Sequence, residues 1–465
     1  MGLSIQNIVY YHFFRHKICV FLYPLFEKSQ ICDKLKKMIF DEDSDMNDNW
    51  YKLDNVAKVF LAAHNKRNPR SIRVSCVLNE EVDPKILQDA LDLTIKIRPQ
   101  FQVRIRRGIF WNYLEQTDEH AVVTKEVSGP CPALYGEHYR GVLHYMVTYY
   151  RNRINIDMSH AISDGTGAFI LLKLLVLNYL KLKHPGRLDE VSIEDSASSD
   201  DRFRNSYDHF YDDSAGPIPK TILNKKKLAF QISSRKLPYN QLRYTEVHLE
   251  SDKVLAAAKA MKVSLTSYLG AHLMLAILAD MPLRQQRKPV NISIPVNLRN
   301  YYPSDTLRNF FNNIDVSHTY DGTETLEALA LEFDEKLKQA LSPELIKKQM
   351  NRYQSIEQFF IARMVPLFIK QPIVRMFSAR ETKTVTAVLS NLGPIKMPEE
   401  TLPYISGFTD FCSTDNMFIT ITSYGNDLVL GIASSYTGTG VIRRMLHALK
   451  SLDTNIYLYA TEVIR

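Results

Sequence analysis

Residues 153–183 place the hardest constraint on the fold. The run RINIDM alternates with the period of a strand, whereas GAFILLKLLVLNYLKLK (167–183) is apolar almost all round. A helix of that kind has no face for water and has to be buried. Between strand and helix lies SHAISDGTG, a bend with two glycines that carries His160, Asp164 and Gly165. A sharp turn between a strand end and a buried helix is a rigid mount, and here it presents an imidazole.

Strands and helices recur on both sides of that turn. SIRVSCVL (71–78) reads as a strand, and DPKILQDALDLTIKIRP (83–99) as a helix with Asp83 as N-cap and Pro84 in its first turn. FQVRIRR and IFWNYLEQ form a hairpin around Arg107 and Gly108, and VLHYMVTYY joins RINIDM at Arg151 and Asn152. Residues 187–216 are acidic and Ser/Asp-rich, so 187–240 reads as a linker or crossover, partly mobile. A second cycle follows: the strand LRYTEVHLE, then the helices SDKVLAAAKAM and SLTSYLGAHLMLAILADM, capped by Ser251 and Ser264. PVNISIPVNLR (289–299) is a strand and TETLEALALEFDEKLKQAL a helix. TKTVTAVLSNLG, NMFITITSYG and DLVLGIASS are strands before a last helix from about Thr439. At 465 residues the chain exceeds one ordinary core. The pattern predicts an α/β protein of two layered halves, 46–186 and 241–465, with residues 1–45 an appendage of unknown role.

Composition removes several classes. Hydrophobic residues at 45% and charged residues at 23% describe an ordered globular chain. The net charge of +7 comes from scattered Lys and Arg, so no nucleic-acid partner is expected, while an anionic small ligand fits. Cys19, Cys32, Cys76, Cys131 and Cys412 are odd in number and lack zinc or redox spacing, which reads as reduced thiols in the cytoplasm. The apolar runs IVYYHFF and ICVFLYPLF are broken by Arg15, His16 and Lys17, so no membrane span is expected. Glu27 and Lys28 follow where a signal peptide needs small residues. No glycine-rich phosphate loop follows a strand, no G-x-S-x-G is present and no cluster has metal spacing. His272 reads as a core or interface histidine, and NKKK (224–227) as a solvated loop.

Histidine is the side chain best suited to take a proton at neutral pH. Asp164, four residues on, could orient a neighbour or cap the following helix, and Gly165 lets a substrate come close. A plain structural reading also exists, with His160 satisfied at a turn, Asp164 an N-cap and Gly165 a bend residue. SHAISDG, IPVNLR and VLSNLGPI, in that order, resemble an acyltransferase superfamily. It holds free-standing alcohol acetyltransferases, plant BAHD acyltransferases and peptide-synthetase condensation domains. The resemblance runs from about Trp50 to the C-terminus and leaves 1–45 unaccounted for.

That resemblance implies two chloramphenicol-acetyltransferase-like halves, each a mixed, mainly antiparallel sheet packed with helices, with an active-site channel between them. It implies His160 as general base, Asp164 turned away and paired with Arg299, and Gly165 leaving room beside the histidine. Ser390 and Asn391 would reach the channel and donate to a thioester oxyanion. Two departures appear. Ser159 stands where condensation domains carry a second histidine, and DFCST (410–414) matches the plant branch's late motif at two residues, a coincidence. The implied reaction moves an acyl group, most simply acetyl, from acyl-CoA as co-substrate to a small alcohol or amine, with no metal or bound cofactor. The rivals are a carrier-protein-bound donor and an inactive binding module. A channel open at two ends is expected, with Lys or Arg at the donor rim and an apolar bore.

Overall fold

The computed structural model describes residues 50–135, 143–193, 203–212, 226–358, 365–452 and 454–461, without the side chains of 352–358. The chain divides into two units, Met1–Trp50 and Tyr51–Arg465, and the account below concerns the second. The proposed appendage 1–45, with Cys19 and Cys32, lies outside the described residues, as do Asn224 and Lys225.

Two sheets carry the unit. The first runs, in spatial order, Ile405–Cys412, Ser71–Leu78, Arg153–Ser159, Tyr145–Tyr150 and Thr124–Lys125, antiparallel except for the last pair. The second has seven strands: Phe311–His318, Val290–Asn297, Ala387–Pro394, Met417–Tyr424, Asp427–Ser434, Arg243–Glu250 and Tyr457–Ala460. Its pairs are antiparallel except that Ala387–Pro394 lies parallel to both neighbours. Each sheet is therefore mixed and mainly antiparallel, and helices pack on it, as the α/β reading requires.

Helix Gly165–Lys183 anchors the first core. Its Leu171, Leu172, Leu175, Val176 and Leu180 are fully buried, and each such aliphatic contributes about 1.5–3 kcal/mol relative to exposure. By length and composition this helix could cross a membrane, yet its apolar faces are consumed by Ile72, Val74, Ile154 and Ile156 of the first sheet. Helix Pro84–Ile97 beside it starts as its sequence dictates, with the Asp83 side chain accepting from the Lys85 and Ile86 amides. The second core forms around helix Leu265–Leu278, which is buried on nearly every side and capped by Ser264. The preceding helix differs from expectation. Strand Arg243–Glu250 runs directly into it, so Glu250 holds the cap position, while the Ser251 hydroxyl donates to Asn426 Oδ1 at 3.0 Å.

One strand crosses over. Ile405–Cys412, from the second half of the sequence, pairs with Ser71–Leu78 and becomes an edge of the first sheet. It also lies against the second sheet. The Thr420 hydroxyl donates to the Asp410 carbonyl at 2.8 Å, and Gly431 supplies the space, because a Cβ there would collide with that carbonyl. Two described parts of 187–240 pack against the second sheet. Tyr207 exchanges hydrogen bonds with the Phe311 backbone and Phe230 is buried in the second core.

Candidate active site

The strand that ends in Ser159 turns at once. The Ile162 amide bonds back to the Ser159 carbonyl at 3.0 Å, and the His160 amide to the Arg70 carbonyl at 2.8 Å. Ser159 is buried, and its hydroxyl accepts from the Ala161 amide at 3.3 Å. Asp164 then caps the helix that starts at Gly165, its Oδ1 accepting from the Gly167 amide at 3.0 Å. Its Oδ2 takes the Arg299 Nη1 at 2.8 Å and the Phe310 amide at 3.0 Å. Asp164 is thus both a helix cap and an ion-pair partner, and its hydrogen bonds go to Gly167, Phe310 and Arg299. Arg299 is itself fixed, donating to the Thr306 carbonyl at 3.1 and 2.8 Å and to the Arg308 carbonyl at 2.6 Å. A buried pair in which every remaining donor is used ties the turn to the second half of the chain.

The two glycines of the bend are unequal. A Cβ at Gly165 would meet only the tip of Leu392, at 3.3 Å. A Cβ at Gly167 would collide with Ser163 Oγ and the Leu307 carbonyl. Steric need therefore falls on Gly167, and the space beside Gly165 is occupied by an apolar side chain.

The imidazole of His160 lies between Phe60 and Phe311, with centroids at 4.7 and 5.7 Å. Its Nδ1 is 3.0 Å from Asn309 Oδ1. The other end of that amide faces acceptors, with Nδ2 at 3.1 and 3.3 Å from the Asp54 oxygens and 2.9 Å from the His160 carbonyl. With Nδ2 committed to acceptors, Oδ1 must accept, so Nδ1 carries the ring proton and Nε2 the lone pair. Burial lowers the pKa of His160, and the Asn309 hydrogen bond and the charges of Asp164 and Asp54 oppose that shift. Asp54 is buried and caps helix Asn55–Ala63 through the Ala57 amide at 2.7 Å. Asn309 and Asp54 were invisible in the sequence. One sits in an irregular loop and the other about a hundred residues upstream, and only the fold joins them.

A cavity of about 310 Å³ lies between the sheets and is lined by His160, Asp164 and Gly165. Ile72 and Val74 line it from the first sheet, and Ser293, Asn297, Ser390 and Phe418 from the second. Its lining is mainly apolar, with polar strand residues among the apolar ones. Ser390 lines the wall. Asn391 lines it too, but its amide holds the local turn, donating to Thr266 Oγ1 at 3.0 Å and accepting from the Gly393 amide at 2.9 Å. Lys226 of the NKKK run also lines the cavity and pairs with Asp315 at 2.8 Å. Lys226 and Lys227 are exposed and outside helix or strand, as a solvated loop requires, and Lys226 also reaches the cavity. His272 is a core histidine, stacked edge-on with Tyr268 and held neutral by burial, which lowers its pKa to about 4. Asp410, from the crossing strand, completes the wall with a carboxyl that burial pushes up to about 7. Among the described residues no group of three His, Cys, Asp or Glu could hold a metal ion.

No family model and no curated protein matches the chain. Solved structures do match. TRI3 trichothecene 15-O-acetyltransferase from Fusarium sporotrichioides superposes with a TM-score of 0.60 at 12% identity, over 87% of this chain and 94% of its own. The fold is chloramphenicol-acetyltransferase-like. The first condensation domain of the calcium-dependent antibiotic synthetase gives 0.59 at 12% identity, over 88% and 96% of the two chains. Polyketide synthase associated protein 5 from Mycobacterium tuberculosis gives 0.60 at 13%, over 86% and 96%. At such identities the likeness speaks for the architecture, and the chemistry has to be argued from this chain's own residues.

Proposed function

We propose that the protein is an acyltransferase that moves an acyl group, most simply acetyl, from acyl-CoA to a small alcohol or amine, with His160 as general base. The observation that carries this reading is the Nε2 lone pair of a neutral imidazole at the wall of a cavity between two acyltransferase-type sheets. The acceptor's hydroxyl or amine gives its proton to Nε2 as its own lone pair attacks the thioester carbonyl. The tetrahedral oxyanion then collapses, the C–S bond breaks, and the imidazolium returns the proton to the leaving thiolate. Asp164 and Arg299 hold the turn rigid during this exchange. Ser390 is the better oxyanion donor of the two candidates, since the Asn391 amide is occupied in its turn.

Ser159 in place of a second histidine favours a free acyl-CoA donor over a carrier protein. The free thiols Cys76, Cys131 and Cys412 fit a cytoplasmic setting. The test is incubation of the purified protein with an acyl-CoA panel and a mixed acceptor library, following thiol release. His160→Ala should lower kcat by about a hundredfold to ten-thousandfold. The acid limb of kcat/KM should fall below the ordinary histidine range, because the folded site lowers that pKa. Transfer only from a carrier-loaded acyl group overturns the donor, and turnover of His160→Ala at the wild-type rate overturns the base.

A further inference from the structure

Among the described residues, the charges around the cavity are matched except at one place. Arg70 pairs with Asp415 at 3.1 Å, Arg73 with Asp157 at 2.6 Å, and Arg299 with Asp164 at 2.8 Å. Lys226 serves Asp315 at 2.8 Å and Glu381 at 3.6 Å. Asp410 lines the same wall and is 4% exposed. Among the described residues no basic side chain pairs with it, and its Oδ1 accepts no hydrogen bond. The hydroxyls of Thr420 and Thr422 beside the carboxyl are its neutral neighbours.

A buried carboxyl left without a cation costs stability, since folding strips its water and returns only neutral neighbours. Apolar residues surround it on its own strand, where Phe408 and Phe411 are buried. Such a group has a physical reason to exist where a ligand supplies the missing partner. A neutral hydrogen-bond donor would fill a lone pair but supply no counter-charge to a carboxylate. An ammonium does both.

We propose that Asp410 is the specificity group of this cavity and that the ligand it recognises carries a protonated amine. Resting on the acyltransfer reading, this makes the acceptor a small amino alcohol or diamine, held at one end by Asp410 while the other end reacts. Binding converts the neutral carboxyl to carboxylate. The O–H bond breaks, its proton passes to the buffer, and an N–H···O ion pair takes its place.

The experiment measures binding by calorimetry without any acyl donor, using 4-aminobutan-1-ol and its neutral counterpart butane-1,4-diol. The wild-type protein should bind the amine about ten- to a hundredfold more tightly, the worth of a hydrogen bond to a charged group. Below pH 7 the binding heat should also change with the ionisation enthalpy of the buffer, reporting proton release. Asp410→Asn should remove both the preference and the proton release. Equal binding of the two probes, or a preference that survives in Asp410→Asn, overturns the proposal. The proton signal needs only the wild-type chain, so a poorly folding variant leaves a decisive readout. Amine binding without acyl transfer from any donor would defeat the reaction assigned above and leave this subsite standing. Transfer to neutral and amino acceptors alike would do the reverse.

Discussion

Asp164 and Asp410 are buried to nearly the same degree, 5% and 4% exposed, and both line one cavity, yet their surroundings are opposite. Asp164 accepts from the Gly167 and Phe310 amides and from Arg299. Among the described residues no cation pairs with Asp410, and its carboxyl is raised to about 7. Burial by itself therefore does not say what an acid is for. A carboxyl saturated with donors holds chain segments together, here a helix start and a loop 135 positions downstream. One left unsatisfied keeps its binding capacity for something that arrives.

The largest effect should come from the saturated side. Arg299→Ala strands the Asp164 carboxylate and two backbone carbonyls, and a broken buried pair costs about 3–5 kcal/mol. Urea unfolding should show the loss, and a stability within error of wild type would mean that the pair contributes nothing to the fold. Asn309→Ala comes next, with a fall in kcat/KM of about ten- to a hundredfold, as when a group orienting a histidine is lost. Nitrogen-15 NMR of the imidazole should show the Nδ1–H form of His160 giving way to a mixture. An unchanged tautomer would free His160 from Asn309.

The glycines sharpen the contrast within the bend. Gly167→Ala forces Cβ into Ser163 and the Leu307 carbonyl, an overpacking cost of about 1–3 kcal/mol. Gly165→Ala meets only the movable tip of Leu392 and should melt close to wild type. Equal melting temperatures for the two variants would remove the distinction.

An effect of opposite sign belongs to Asp410→Asn. The folded carboxyl has a pKa of about 7 against an ordinary value of 3.8, so the native state binds the proton more tightly than the unfolded chain. That stabilisation is complete below about pH 4 and is lost as pH rises through about 7. The variant lacks this dependence, so its melting temperature relative to wild type should climb across that interval and then level off. A flat difference would place an unseen cation beside Asp410.

How far the site could be read in advance follows from how local each part is. The turn 159–167 was legible because strand alternation, an N-cap spacing and an all-apolar helix are properties of neighbouring residues. Asp83 and Ser264 as caps, and most strands, follow for the same reason. Strand Ile405–Cys412 escaped because ISGFTDFC has no clean alternation. It is buried on both faces between sheets, so its polar Asp410 and Thr409 sit inside where no periodic rule would put them. That one strand converted DFCST from an apparent coincidence into a cavity wall.

What the sequence determined by itself was therefore the mount, with His160 on a rigid bend and Asp164 at a helix start. Tertiary structure decided what each of these faces. Asn309 fixes which imidazole nitrogen is basic, and Asp54 fixes Asn309, across separations of 149 and 255 residues. It also decided that Asp164 finds an arginine while, among the described residues, Asp410 finds none. Partners that far apart are brought together by sheet pairing and core burial, and these depend on the whole chain and leave no trace in local spacing.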